Sequence, residues 1–310
     1  MAMRKTDLVP PSASPARLVP ILVYAIAIVL FSGMDAAMKG LVLAVGVYNT
    51  VLWRTSLATA IAGAAWTVRG GSFPDRRALG LHAIRVVVVA GMMVFFFWGL
   101  ARLPLAEAIA LSFIAPLIAL FLAAVLLGER IGRPAILASI AGLAGVAIIM
   151  AGQFGHDAYG AEAYLGTLSV LISALFFAWN LILVRQLSLL TDPLEFAFIQ
   201  NLGLAILFVI AAPWLGRMMP YELWPLLILT TILGLAGQFL MSWAYSRAEA
   251  QYLVPIEYTA FVWVILLGWW FFDEDVTWAT LIGGLFIIAG CIYAARAKPK
   301  LAQPIEPASL

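Results

Sequence analysis

Residues 98–129 read WGLARLPLAEAIALSFIAPLIALFLAAVLLGE, and residues 243–274, 145 positions later, read WAYSRAEAQYLVPIEYTAFVWVILLGWWFFDE. The two stretches align without a gap. Trp98/Trp243, Arg102/Arg247, Ala115/Ala260, Leu122/Leu267 and Glu129/Glu274 are identical at that spacing, and the same offset places Phe31 on Phe176 and Asp35 on Asn180. The chain is therefore read as two copies of one unit.

The unit is made for lipid. Hydrophobic residues make up 64% of the 310 positions and charged residues 11%, and the mean hydropathy is +1.03. A soluble domain carries roughly 25% charged residues. The formal net charge of +2 is small and scattered, which excludes a nucleic-acid surface. The single cysteine, Cys291, excludes an internal disulfide.

A spanning helix needs about 20 mostly apolar residues. Ten stretches qualify: 18–38, 47–68, 79–101, 104–127, 134–151, 164–186, 194–213, 222–246, 250–272 and 277–295. Their connections carry breakers such as Gly70-Gly71, Pro104, Pro193 and Pro220. The expected organisation is a cytoplasmic tail over 1–17, a first five-helix repeat over 18–151, an external loop over 152–163, a second repeat over 164–297, and a tail over 298–310. PPSASP and KPKLAQPIEP mark the tails as disordered. The start lacks a small-residue cleavage site after a short apolar core, so the first span is expected to be retained.

With the N-terminus in the cytoplasm, fourteen Lys and Arg residues collect on the inner side, while Lys39, Arg102 and Arg217 lie outside and Arg54 falls within a span. That bias predicts both termini inside, in the cytoplasmic membrane. Five helices per copy is an odd number, so the second copy enters the membrane inverted. The fold class is thus an all-α membrane protein of ten transmembrane helices in two inverted repeats around a central cavity, the plan of a secondary transporter working by alternating access.

The residues resemble the EamA-type branch of the drug/metabolite transporter superfamily. The first copy carries the pattern in Ala106, Ala108, Ala110-Leu111, Phe113, Pro116-Leu117, Leu127-Gly128-Glu129-Arg130 and Gly142-Leu143-Ala144-Gly145-Val146, with Gly33, Lys39 and Trp53-Arg54 earlier. The second copy repeats it through 243–274 and Gly283-Gly284, departing where Phe261 stands opposite Pro116 and Asp273 opposite Gly128. The resemblance spans residues 18–297. It implies an exporter with a cavity lined by helices 1, 3, 4, 6, 8 and 9, moving amino acids, other small metabolites or drug-like solutes outward.

Ionisable groups inside a bilayer cost about 2.5–3.5 kcal/mol on insertion scales, and so face protein or a cavity. Toward the outer end lie Asp35, Lys39, Arg54 and Glu107. Asp35 and Lys39 are four apart on one helical face, suited to a local ion pair. Arg54 can pair with Asp35 or Glu107, or snorkel. This cluster serves either as a structural tie between helices 1, 2 and 4 or as an external gate. Toward the inner end, Arg85 and Glu257 each lie about 10 Å into a helix and form a candidate cross-half pair. Glu257 is the repeat partner of Ser112, so the copies differ chemically at one equivalent spot.

The remaining cavity candidates are Trp179, Asn180, Gln238, Tyr245, Tyr258, Ser112 and Phe113. Aromatic faces hold an ammonium by cation–π attraction, and amides hydrogen-bond either end of a zwitterion. Glu129 and Glu274, at the ends of apolar runs, read as helix-end residues.

Among the four lysines none lies in a Gly-rich phosphate loop, which argues against ATP as a partner. Two histidines and one cysteine, far apart, argue against an enzyme, a metal site or a cofactor. The expected partners are a small-molecule substrate and the bilayer, with the chain acting as a monomer. The substrate reading is amino acids or similar metabolites. The alternative is efflux of drug-like or cationic hydrophobic compounds, with proton coupling left open.

Overall fold

Every backbone amide inside a bilayer must find its partner within the protein, which leaves helices as the economical solution for an apolar chain. The computed structural model describes residues 15–71, 74–115, 117–119, 122, 133–153, 161–187, 190–245, 247 and 256–296. Its helices are α1 (Pro15–Val68), α2 (Arg76–Leu100), α3 (Leu105–Ser112), α4 (Arg133–Gln153), α5 (Ala161–Leu187), α6 (Pro193–Leu215), α7 (Trp224–Tyr245), α8 (Ala260–Phe272) and α9 (Trp278–Arg296), with a 3₁₀ turn at Tyr221–Leu223. The expected tails fall mostly outside these residues, although α1 begins at Pro15. Glu129 and most of the 152–163 loop also lie outside them.

α1 has 54 residues, about 80 Å at 1.5 Å each, against a hydrocarbon core of about 30 Å. The chain resolves this at Gly46, where φ is 80° and ψ is 162°. A side chain would be strained at that φ. Arg54 Nη2 lies 3.2 Å from Met34 Sδ, so the two arms fold back on each other. The arms match the first two expected spans.

Among the described residues, five helices are long and apolar enough to cross a membrane: Val19–Val68, Arg76–Leu100, Ala161–Val184, Leu194–Leu215 and Tyr221–Ala244. Shorter apolar helices cover Leu105–Ala119, Ile140–Gly152, Ala260–Phe272 and Trp278–Gly290. Val19, Leu22, Ile26 and Val29 form an exposed stripe on α1, and Ile282, Leu285, Phe286 and Tyr293 are exposed on α9. The interior instead takes Ser32, Thr50, Thr55, Thr167, Ser169, Thr230 and Thr231. An apolar outer face, and hydroxyls admitted among the apolar residues of the core, both follow from a solvent as apolar as leucine.

The hydroxyls inside are satisfied by carbonyls. Thr55 and Ser56 donate back to Val51 and Leu52 on their own helix. Ser169 donates to Phe95 O at 2.7 Å and Ser173 to Met92 O at 2.8 Å, stitching α5 to α2.

Helix pairing follows the small residues. The first arm of α1 packs on α7, with Gly33 against Leu233 and Phe31 against Gly237. α2 packs on α5, with Phe176 against Gly91. Phe31 and Phe176 are repeat partners, and each meets a glycine of the other copy. The second arm of α1 packs on α6 through Trp66 and Phe198, stacked at 4.9 Å. α4 crosses α9 at two glycines: a Cβ on Gly145 would lie 2.5 Å from Gly283 O.

Candidate functional site

Two helices break at matching places. α3 ends at Ser112, and the chain turns at Phe113 and Ile114 before helix resumes at Ala115. In the other copy the chain turns at Tyr258 and Thr259 before α8 starts at Ala260. Each turn position is 145 residues from its counterpart. Short i to i+3 bonds tighten the ladder at both, with the backbone still right-handed: Ile114 N donates to Leu111 O at 3.2 Å, and Thr259 N to Ile256 O at 2.9 Å. The second break occurs although Phe261 replaces Pro116, so this departure from the family pattern leaves the helix interrupted.

The breaks meet. Phe113 and Tyr258 are both buried, with ring centroids 5.3 Å apart at 82°. Ser112 and Glu257 stand just before the turns. Ser112 Oγ donates to Ile109 O at 2.8 Å. Glu257 makes no hydrogen bond or ion pair among the described residues and keeps part of its surface accessible. The structure thus brings Phe113 and Tyr258 together, with Ser112 and Glu257 the residues just before them in sequence.

Arg85 does not pair with Glu257. Its Nε donates to Asn180 Oδ1 at 2.9 Å and its Nη1 to Gln200 Oε1 at 2.8 Å. Its guanidinium lies 3.9 Å from the centre of the Phe196 ring. The partners come from α5 and α6, which cross α2 closely: a Cβ on Gly203 would meet Val86 Cγ2 at 2.3 Å. Two amide oxygens and an aromatic face therefore replace the expected carboxylate. Gln200 and Phe196 were not singled out by the sequence as Arg85 partners, since their helix faces depend on how α6 packs.

Arg54 lies against α7, where a Cβ on Gly234 would meet its Nη2 at 2.4 Å. Asp35 acts on it across space without a direct ion pair. Gln238, one turn further along α7, is part-buried.

Lys39 does not pair with Asp35 either. Its Nζ donates to Glu274 Oε1 and to Leu103 O, with Glu107 close enough to add attraction. Glu274 Oε2 also accepts from Leu105 N at 2.7 Å, capping the start of α3 from the other copy. Asp273, with φ 53°, is the left-handed residue that turns the chain after α8 and delivers Glu274 there. The helix-end reading of Glu274 stands, with a tie across the two copies added to it.

The remaining candidates separate. Trp179 is 45% exposed, in line with Leu165, Leu168 and Leu175 on the outer stripe of α5, while Asn180 turns inward to Arg85. Trp179 therefore leaves the site. The Tyr245 side chain lies outside the described residues. Trp98 and Trp243 carry Arg102 and Arg247 on their faces at 3.4 and 4.2 Å, the same i, i+4 arrangement at both repeat positions. A groove of about 630 Å³ between α2 and α5, lined by Arg76, Arg77, Gly80, Leu81, Ile84, Gln186 and Leu190, holds none of the predicted residues.

Apolar membrane-crossing helices packed around buried polar clusters, with an interrupted pair at the centre, define a multi-pass membrane transporter. The chain belongs to the EamA-like transporter family, whose model matches residues 18–151 and 164–296, once in each copy. It is 28% identical over 270 residues to the pseudopaline exporter CntI of Pseudomonas aeruginosa, covering 86% of this chain and 93% of that one. An uncharacterized transporter of Helicobacter pylori is 33% identical over 229 residues, covering 70% and 74%. A riboflavin transporter of Rhizobium johnstonii is 28% identical over 222 residues, covering 69% and 70%. A solved crystal structure has the same fold, with a TM-score of 0.60 at 20% identity, covering 89% of this chain and 96% of that one.

Proposed function

We propose that this protein is a secondary carrier that exports amino acids or similar small metabolites across the cytoplasmic membrane by alternating access. It has ten helices in two inverted five-helix repeats, with both termini in the cytoplasm. The observation that carries the reading is the pair of helix breaks at Phe113 and Tyr258, which meet at the interface of the two copies. Interrupted helices at a repeat interface expose backbone dipoles to a solute near the midplane. Their meeting lets one copy rock against the other around a fixed site. Glu257 supplies a carboxylate for an ammonium, and Phe113 and Tyr258 supply aromatic walls. The tie from Lys39 to Glu274 closes the outer end between α1, the start of α3 and the end of α8, and opens during the cycle. Similarity to an exporter of pseudopaline and to riboflavin transporters supports a small-molecule cargo without selecting one.

Efflux of cationic hydrophobic compounds is the second reading, favoured by the Glu257 carboxylate, which has no partner among the described residues and adjoins Tyr258. Reconstitution separates the two. Proteoliposomes loaded with a mixture of amino acids should lose some of them selectively and saturably relative to protein-free vesicles. Loss of a lipophilic cation alone, with amino acids retained, selects the second reading.

A further inference from the structure

Arg85 sits nine residues into α2, about 13 Å along its axis, and is 6% exposed. No carboxylate reaches it among the described residues. A guanidinium carries five N–H donors in a rigid fork, and two protein acceptors engage it, Asn180 Oδ1 and Gln200 Oε1. Nη2 makes no hydrogen bond among the described residues. Around the fork, among the described residues, are further polar atoms without partners. Gln200, 4% exposed, turns its oxygen to Arg85 and leaves Nε2 unbonded. His82, 1% exposed and one turn before Arg85, has neither ring nitrogen bonded. Phe196 lies under both, 3.9 Å from the Arg85 guanidinium and 6.0 Å from the His82 ring centre.

A buried cation surrounded by surplus donors is costly unless an acceptor-rich anion joins it. The two amides orient the fork, since each spends its acceptor on Arg85, and Asn180 is the partner of Asp35 in the other copy. The pseudo-equivalent cluster keeps an acid, Asp35, near Arg54. The Arg85 cluster has an amide in that place and one positive charge in excess.

From this juxtaposition of Arg85, Gln200 and His82 we infer a binding site for the carboxylate group of the transported solute, held by the Arg85 fork and the Gln200 amide on a Phe196 floor. It rests on the transport reading above and deepens it: the cargo class is carboxylate-bearing solutes, and a zwitterion places its acid here.

The test uses the purified full chain and matched probes: L-leucine, L-glutamate and L-histidine against their α-carboxamides. Binding is read as ligand-dependent thermal stabilisation in detergent, and efflux from proteoliposomes is measured in parallel. At least one acid should bind about tenfold or more tighter than its amide, the scale of a charge-assisted bond. Arg85→Gln, Arg85→Lys and Gln200→Leu should each pull that ratio toward one. Gln200→Leu keeps the charge and the Asn180 bond, so it remains informative if Arg85→Gln fails to fold. An acid and amide that bind alike, acids that do not bind, or an unchanged ratio in the folded variants overturns the assignment. Acids that bind selectively without being carried leave the site standing and remove the transport reading. Acids and amides carried alike remove the site and leave transport intact.

Discussion

Phe113 and Tyr258 stand 145 positions apart in the chain and meet edge to face, 5.3 Å between ring centres, each at the turn that interrupts its helix. The contact joins the two copies at equivalent positions, and Ser112 and Glu257 directly precede it in sequence.

That contact is expected to be worth about 0.5–1.5 kcal/mol beyond the area it buries. A double-mutant cycle on Phe113→Leu and Tyr258→Leu, read as thermal stability in detergent, should return a coupling in that range. Additive effects would mean the rings touch without supporting each other.

Glu257→Gln should leave the fold intact, because the carboxylate has no partner to lose among the described residues. Transport of amino acids should weaken about tenfold through KM, the loss of one charge-assisted contact. Abolition of lipophilic-cation efflux, with amino acids unaffected, would favour the drug-efflux reading. A pH gradient that leaves net flux unchanged in the wild type would remove proton coupling from the mechanism.

The Lys39–Glu274 tie predicts a different phenotype. Lys39 and Glu274 are both largely buried, and breaking such a pair from one side costs about 3–5 kcal/mol. Lys39→Met should lower Tm clearly, and Glu274→Gln likewise, since Glu274 also caps α3 at Leu105 N. The double variant should recover part of the loss seen with either single change. Equal and additive losses would contradict a direct pair.

Packing at the α4–α9 crossing leaves no room for side chains. Gly145→Val should abolish folded, monodisperse protein, because even its Cβ would lie 2.5 Å from Gly283 O. Gly80→Ala, whose Cβ meets nothing, is the matched control and should leave Tm unchanged. Size-exclusion profiles of the two variants check the contrast.

The sequence made the duplication legible because its marks are one-dimensional. Trp98 with Arg102 and Trp243 with Arg247 keep the same spacing and form the same stacked pair. The bias of apolar residues predicted helices at lengths a bilayer requires, and Asn180 was placed inside. What escaped was partner choice. Charge alone pairs Arg85 with Glu257, yet the close crossing of α2 with α5 and α6 gives it Asn180 and Gln200 instead. Helical spacing pairs Lys39 with a neighbour one turn away, whereas it finds Glu274 235 positions on. Trp179 was grouped with Asn180, although adjacent helical residues point about 100° apart, and it falls on the outer stripe. The break at Tyr258 has no proline at the position of Pro116, so the family pattern did not mark it.

Two copies that alternate around one fixed site should show trans-stimulation. Proteoliposomes are loaded with a labelled amino acid that the protein releases, and the same unlabelled amino acid is then added outside. A carrier of this kind should release the label faster, and saturably, because an occupied site returns more readily than an empty one. Release at a rate indifferent to the outside solute, rising linearly with the gradient, would describe an open pore and contradict the claim.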